Sequence, residues 1–164
     1  MRLPAPRQAG RYAVALVCLG NICRSPMAHV VLEERLVEAG LDDAVTVESS
    51  GTGGWHVGEP MDPRAASTLS DAGYDPSRHR ARQYDASWAQ THDLVLVMDT
   101  DNLADVGGRS ERVAMFRDLD PVDPGADVPD PWYGGSDGFT AVLTMVERTS
   151  DALVAQLSEM LDSG

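Results

Sequence analysis

The chain has 164 residues, 43% of them hydrophobic, enough for one domain with a core of its own. A formal net charge of −13 works against nucleic acid and acidic membrane surfaces as partners. Two cysteines and no long apolar run argue against a disulfide scaffold, a membrane span or a cleaved leader, so the expected compartment is the reducing cytoplasm.

Apolar runs alternate with helical segments, the pattern of an α/β fold with a parallel sheet. Residues 1–11 read as an N-terminal arm and 12–164 as a single domain. Tyr12 to Val17, short and valine-rich, reads as a buried strand. A helix follows from about Ser25, where Pro26 suits a first turn that needs no amide donor; it shows Met27, Val30, Val31, Leu32, Leu36 and Val37 at helical spacing and stops at Gly40. Further strands are expected at Val45 to Ser49, Leu94 to Met98 and Val113 to Phe116, with helices at Pro63 to Asp71 and Ser87 to Gln90. The segment Asp118 to Asp137, rich in Asp, Pro and Gly, reads as a surface loop. Phe139 to Leu161 closes the chain as a long helix whose stripe of Phe139, Val142, Val146, Leu153, Leu157 and Met160 is core packing.

The chemistry concentrates where the first strand meets the first helix, at Cys18-Leu19-Gly20-Asn21-Ile22-Cys23-Arg24-Ser25-Pro26. A tight loop entering a helix N-terminus gathers backbone N–H groups around one point and adds the positive end of the helix dipole, so Leu19 to Ser25 make an anion cradle. Those amides and the Arg24 guanidinium favour Cys18 as thiolate, a nucleophile at neutral pH. Arg24 can hold two oxygens of a tetrahedral oxyanion at once, and the Ser25 hydroxyl can stabilise the sulfur as nucleophile and as leaving group. Together these groups describe phosphoryl transfer to sulfur. A buried cysteine alone is usually a small hydrophobe, but that reading leaves the glycine, the arginine and the Ser-Pro helix start unexplained. Arg78, Arg80 and Arg82 form a basic turn that either adds to the local positive potential or is simply solvated.

The stretch Leu19 to Pro26 resembles the phosphate-binding loop of the low-molecular-weight protein tyrosine phosphatases, of the bacterial type, including the supporting Asn21 and the second cysteine, Cys23. The resemblance runs from about Tyr12 to Leu161. It implies a single three-layer domain with a four-stranded parallel sheet and helices on both faces, cysteinyl-phosphate chemistry, no metal or other cofactor, and a monomer acting on a tyrosine-phosphorylated protein. It also implies that His79 supports the loop through Asn21, and that Cys23 can pair reversibly with Cys18 as a redox guard.

A phosphate ester needs a general acid for its leaving oxygen. Asp118, Asp120, Asp123, Asp127, Asp130 and Asp137 all lie in the long loop, and most must be solvated or capping residues. Asp130-Pro131-Trp132-Tyr133 resembles the Asp-Pro-aromatic-Tyr motif that carries the acid in that family, which usually has tyrosine at the position of Trp132. Trp132 and Tyr133 are expected as one wall of the substrate entrance and Trp55 as the other, an arrangement that favours an aryl ester. Asp99, ending the third strand, either braces the loop or caps the next helix, and His29, His56 and His92 carry no expected role. Arsenate reductases of the same fold relay oxidation through a third cysteine, absent here, and a mere phosphate sensor would not need both Cys18 and Asp130.

Overall fold

The structure, a computed structural model, describes residues 1–162 apart from the side chains of Tyr133 and Ser136. Four parallel strands, β1 (Tyr12–Cys18), β2 (Val45–Gly51), β3 (Leu94–Val97) and β4 (Val113–Met115), form one sheet in the order β2-β1-β3-β4. The helices are α1 (Arg24–Glu38), α2 (Pro63–Asp71), α3 (Trp88–Thr91), α4 (Thr100–Asp105) and α5 (Ser136–Asp162).

Alternation along β1 sets the layers, because successive side chains leave opposite faces of a strand. Tyr12, Val14, Leu16 and Cys18 join the core shared with α1, α2 and α5, while Ala15 and Val17 face a smaller core covered by Trp88, Leu103 and Val106. The expected three-layer arrangement follows, with helices on both faces. From β1 the chain passes first to β2 on one side and later to β3 on the other. The carboxyl ends of β1 and β3 therefore flank the point where strand order reverses, which is where ligands bind in open α/β sheets. Cys18 ends β1 and Asp99 follows β3.

The first helix stops as expected: Gly40 adopts φ +72°, and the amides of Gly40 and Leu41 close back on the carbonyls of Val37 and Leu36. Helix α2 opens with Pro63 at its first position and with the Asp62 carboxylate accepting from the amides of Arg64 and Ala65. Strand and helix ends shift by one to three residues, β2 running on to Gly51 and α5 starting at Ser136.

Helix α4 is the helix that Asp99 was expected to be able to cap, although its six residues carry too little periodicity to give it bounds from the sequence. One expectation needs correction. The segment Asp118 to Asp137 is not simply a surface loop. Asp120 is buried between Arg117 (2.9 Å) and Arg148 (2.8 and 2.9 Å), Val128 is fully buried, and Pro131–Tyr133 forms a turn of 3₁₀ helix. A carboxylate inside the fold is tolerable only when its lone pairs are filled, and two arginines fill them here.

The N-terminal arm packs at the opposite end of the sheet from Cys18. The Arg7 amide donates to Asp93 (2.7 Å), its Nε to the His92 carbonyl (3.0 Å), and the Tyr12 hydroxyl to the Pro4 carbonyl (3.0 Å). No helix among the described residues is long and apolar enough to cross a membrane.

Candidate active site

The loop from Cys18 to Arg24 is held by its carbonyls. Cys18 and Leu19 carbonyls accept from the amides of Thr52 (3.0 Å) and Gly53 (2.9 Å), Ile22 from Asp62 (2.9 Å) and Cys23 from Met27 (3.0 Å), while the Asn21 carbonyl accepts from His79 Nε2 (2.6 Å). With the carbonyls engaged in this way, none of the amides of Leu19 to Cys23 donates to a described protein group. Helix α1 lacks a side-chain N-cap, so its first amides also stay free. Of the loop residues Leu19 to Cys23, Asn21, Ile22 and Cys23 are buried, and buried donors without a protein partner are suited to an anion.

Asn21 braces the loop from inside. It is fully buried and adopts φ 56°, a left-handed conformation that asparagine tolerates better than most residues. Its Oδ1 accepts from the Arg82 amide (2.9 Å), which fixes the side-chain orientation because a backbone N–H can only donate. Nδ2 therefore donates to Ser25 Oγ (2.8 Å). Ser25 Oγ lies 3.0 Å from Cys18 Sγ and 3.3 Å from the Ser50 carbonyl, so its single proton has the sulfur as nearer acceptor. Because a carbonyl accepts, His79 must carry its proton on Nε2. Burial, aided by nearby His29, Arg80 and Arg82 charges, lowers the His79 pKa against the opposing pull of the Asn21 carbonyl and keeps the ring neutral.

Arg24 is 3% exposed. Its Nη1 donates to Asp99 (2.6 Å) and to the Val128 carbonyl (3.0 Å), and Nη2 lies 3.7 Å from Asp130 Oδ2. Nε and Nη2 remain for a bidentate oxyanion, with no described hydrogen bond on either. Burial works against the charge, but Cys18, Asp99 and Asp130 around it hold the Arg24 pKa above its ordinary value. Asp99 does both things open to it: Oδ2 holds Arg24 while Oδ1 caps α4 at the Asn102 amide (2.7 Å). Burial, reinforced by Asp62, Cys18 and Asp130, pushes the Cys23 thiol up, so it stays protonated. Both cysteines are free thiols.

Cys18, Leu19, Gly20, Ile22, Cys23 and Arg24 line a cavity of about 220 Å³ whose mouth is formed by Trp55, His56, Asp130 and Trp132. A larger hollow of about 520 Å³ between α2 and α5 contains no thiol. Trp55 is 71% and Trp132 41% exposed, large apolar faces left open to solvent at the entrance. The side chain of Tyr133, the third expected wall residue, lies outside the described residues.

The basic turn does not reach the cavity. Arg80 bonds the carbonyls of Ser77 and His79, and Arg82 pairs with Glu48 (2.9 Å) over the Trp88 ring. Positive potential at the site comes from Arg24 and the amides. His56, given no role from the sequence, stands at the rim, 6.3 Å from the Trp132 ring and paired with Glu59 (2.5 Å). Its place beside Trp55 in a glycine-rich stretch was the available signal. Gly51 was also missed. A Cβ there would fall 2.7 Å from the Leu19 carbonyl oxygen and 2.9 Å from the Asn21 amide, so only glycine lets β2 lie under the loop.

The family model for low molecular weight phosphotyrosine protein phosphatase matches residues 13–163. The chain is 45% identical to a low molecular weight protein-tyrosine-phosphatase of Streptomyces coelicolor, over 92% of this chain and 96% of that one. It is 40% identical to low molecular weight protein-tyrosine phosphatase A of Mycobacterium tuberculosis, over 90% and 93%. The crystal structure of YfkJ from Bacillus subtilis superposes with a TM-score of 0.85 at 28% identity, covering 93% of this chain and 98% of that one. With a loop of unpartnered amides between a buried cysteine and a buried arginine, and matches spanning nearly its whole length, the chain belongs to the low molecular weight protein-tyrosine phosphatases and is an enzyme of that class.

Proposed function

We propose that the chain hydrolyses phosphotyrosine in proteins through a cysteinyl-phosphate on Cys18. The Cys18 thiolate attacks phosphorus while the loop amides and Nε and Nη2 of Arg24 hold the three non-bridging oxygens. The P–O bond breaks as Asp130 gives its proton to the phenolate. Asp130, now a carboxylate, takes a proton from water as the water oxygen attacks phosphorus, and sulfur leaves as thiolate with the Ser25 hydroxyl to receive its charge. The observation that carries this reading is one cavity lined by Cys18, by Arg24, by the loop between them with its unpartnered amides, and by Asp130. The exposed faces of Trp55 and Trp132 favour an aryl ester over a short alkyl one, whose phosphate would not reach the floor past those walls. Cys23 serves in this reading as the thiol that captures an oxidised Cys18 as a disulfide before further oxidation.

The test is turnover of p-nitrophenyl phosphate by Cys18→Ser and Asp130→Ala variants. Cys18→Ser is expected to bind phosphate without turnover, and full activity in that variant would overturn the mechanism. Asp130→Ala is expected to lose at least about 100-fold in kcat/KM toward phosphotyrosine.

A further inference from the structure

We infer that Arg64 is a positioning residue for the general acid, joining the segment that carries Asp130 to the phosphate loop through the N-terminus of α2. The inference rests on the reading of Asp130 as the acid.

Successive contacts run from one reacting element to the other. The Asp62 amide donates to the Ile22 carbonyl (2.9 Å), so the start of α2 is fastened to the loop that holds the phosphate. The Asp62 carboxylate caps α2 at the Arg64 amide (2.8 Å) and also accepts from Arg64 Nε and Nη2 (both 3.3 Å), which sets the direction of the guanidinium. Nη1 is thereby aimed at the carbonyl of Trp132 and donates to it at 3.1 Å. The guanidinium plane also covers the Trp132 ring (5.0 Å) and the Phe139 ring (4.9 Å). Trp132 closes the chain of contacts, since its own amide donates to Asp130 Oδ1 (3.0 Å).

This matters because Asp130 sits on a short turn and its side chain is 34% exposed. A general acid works only within about 2.6–3.2 Å of the leaving oxygen, and a displacement of about 1 Å can cost roughly 100-fold in rate. On the far side the segment is tied to the sheet, the Val128 amide donating to the Met98 carbonyl (2.6 Å) and its carbonyl accepting from Arg24. Arg64 supplies the tie on the near side. A lysine could keep the charge but cannot engage Asp62, the Trp132 carbonyl and two aromatic faces together.

The experiment compares kcat/KM for two esters, phosphotyrosine, whose phenolate needs a proton, and 2,4-dinitrophenyl phosphate, whose leaving group departs without one. This constant covers formation of the phosphocysteine and excludes its hydrolysis, so the ratio of the two values isolates protonation. We expect Arg64→Met and Arg64→Lys each to lower the phosphotyrosine to dinitrophenyl ratio by about tenfold, and Asp130→Ala to lower it further. If Asp130→Ala lowers the ratio while both Arg64 variants leave it at the wild-type value, or reduce both substrates equally, the positioning role is refuted and the acid stands. If Asp130→Ala itself leaves the ratio unchanged, the acid assignment falls and the role of Arg64 falls with it.

Discussion

Replacing Ser25 with alanine removes one hydroxyl from the most tightly enclosed part of the site. That oxygen lies 3.0 Å from Cys18 Sγ, is fully buried, and already accepts from Asn21 Nδ2 at 2.8 Å, so its proton is directed at the sulfur or at the Ser50 carbonyl. A hydrogen bond to a charged group contributes about 1.5–3 kcal/mol, equivalent to roughly 10- to 100-fold in rate where the charge develops. The charge on sulfur develops when the S–P bond breaks, so the loss should fall on phosphocysteine hydrolysis and lower kcat by that factor. The intermediate should then accumulate, and rapid mixing with p-nitrophenyl phosphate should release close to one equivalent of nitrophenol per enzyme before a slow steady state. Asn21 Nδ2 also loses its buried acceptor, which costs about 1–3 kcal/mol and a Tm decrease of roughly 2–10 °C. A kcat within twofold of wild type, or a slow reaction without a burst, would refute the assignment of the hydroxyl to the leaving sulfur.

Arg24→Lys should weaken vanadate inhibition at least about tenfold, since a point charge cannot span two oxygens while also holding Asp99 and the Val128 carbonyl; equal inhibition constants would contradict the bidentate role. Gly51→Ala introduces a carbon against three backbone atoms of the loop at 2.7–2.9 Å, so phosphate affinity should fall sharply and stability by about 1–3 kcal/mol, read from inhibition and thermal unfolding. Asp120→Asn should destabilise the fold by about 3 kcal/mol at pH 7 by leaving Arg117 and Arg148 without their buried counterion. Hydrogen bonds from Arg148 first, and from the Val122 amide and Arg117, hold the Asp120 carboxyl well below the usual carboxylate range. Its stabilisation is therefore complete above about pH 4 and is lost as pH falls through the depressed folded-state value, so the deficit of the variant in urea titrations should shrink on acidification. A deficit that stays constant down to pH 2 would show that Asp120 does not titrate with folding.

Local rules carried far in this chain because its central features are local. The alternation Tyr12, Val14, Leu16 against Ala15, Val17 specifies a strand buried on both faces, and Gly40 marks a helix end by its freedom at positive φ. Cys18, Arg24 and Ser25 lie within one turn of loop and helix, so their spacing in the chain is nearly their spacing in space. That closeness is why the chain alone already suggests a phosphate cradle with a thiol nucleophile.

Residue spacing alone could not supply the contacts that meet the loop from afar, although the family motifs named His79 and Asp130 and the end of the third strand offered Asp99 as a brace. Asp99 and Val128 reach Arg24 across separations of 75 and 104 residues, His79 reaches Asn21 across 58, and Arg64 reaches Trp132 across 68. Composition made Asp120 one aspartate of a polar loop, although folding buries it between two arginines. His56 and Gly51 looked unremarkable in sequence, and only the packing of β2 and its following loop against Cys18 to Asn21 brings them to the site. The sequence by itself determined the parallel α/β frame and the loop on which the proposed nucleophile, Cys18, and its cradle lie, because backbone periodicity and a nine-residue loop contain that information. Tertiary structure decided which groups engage the loop carbonyls, which partners hold Arg24 and that His56 joins the entrance. Those depend on contacts between segments distant along the chain, where no local propensity acts.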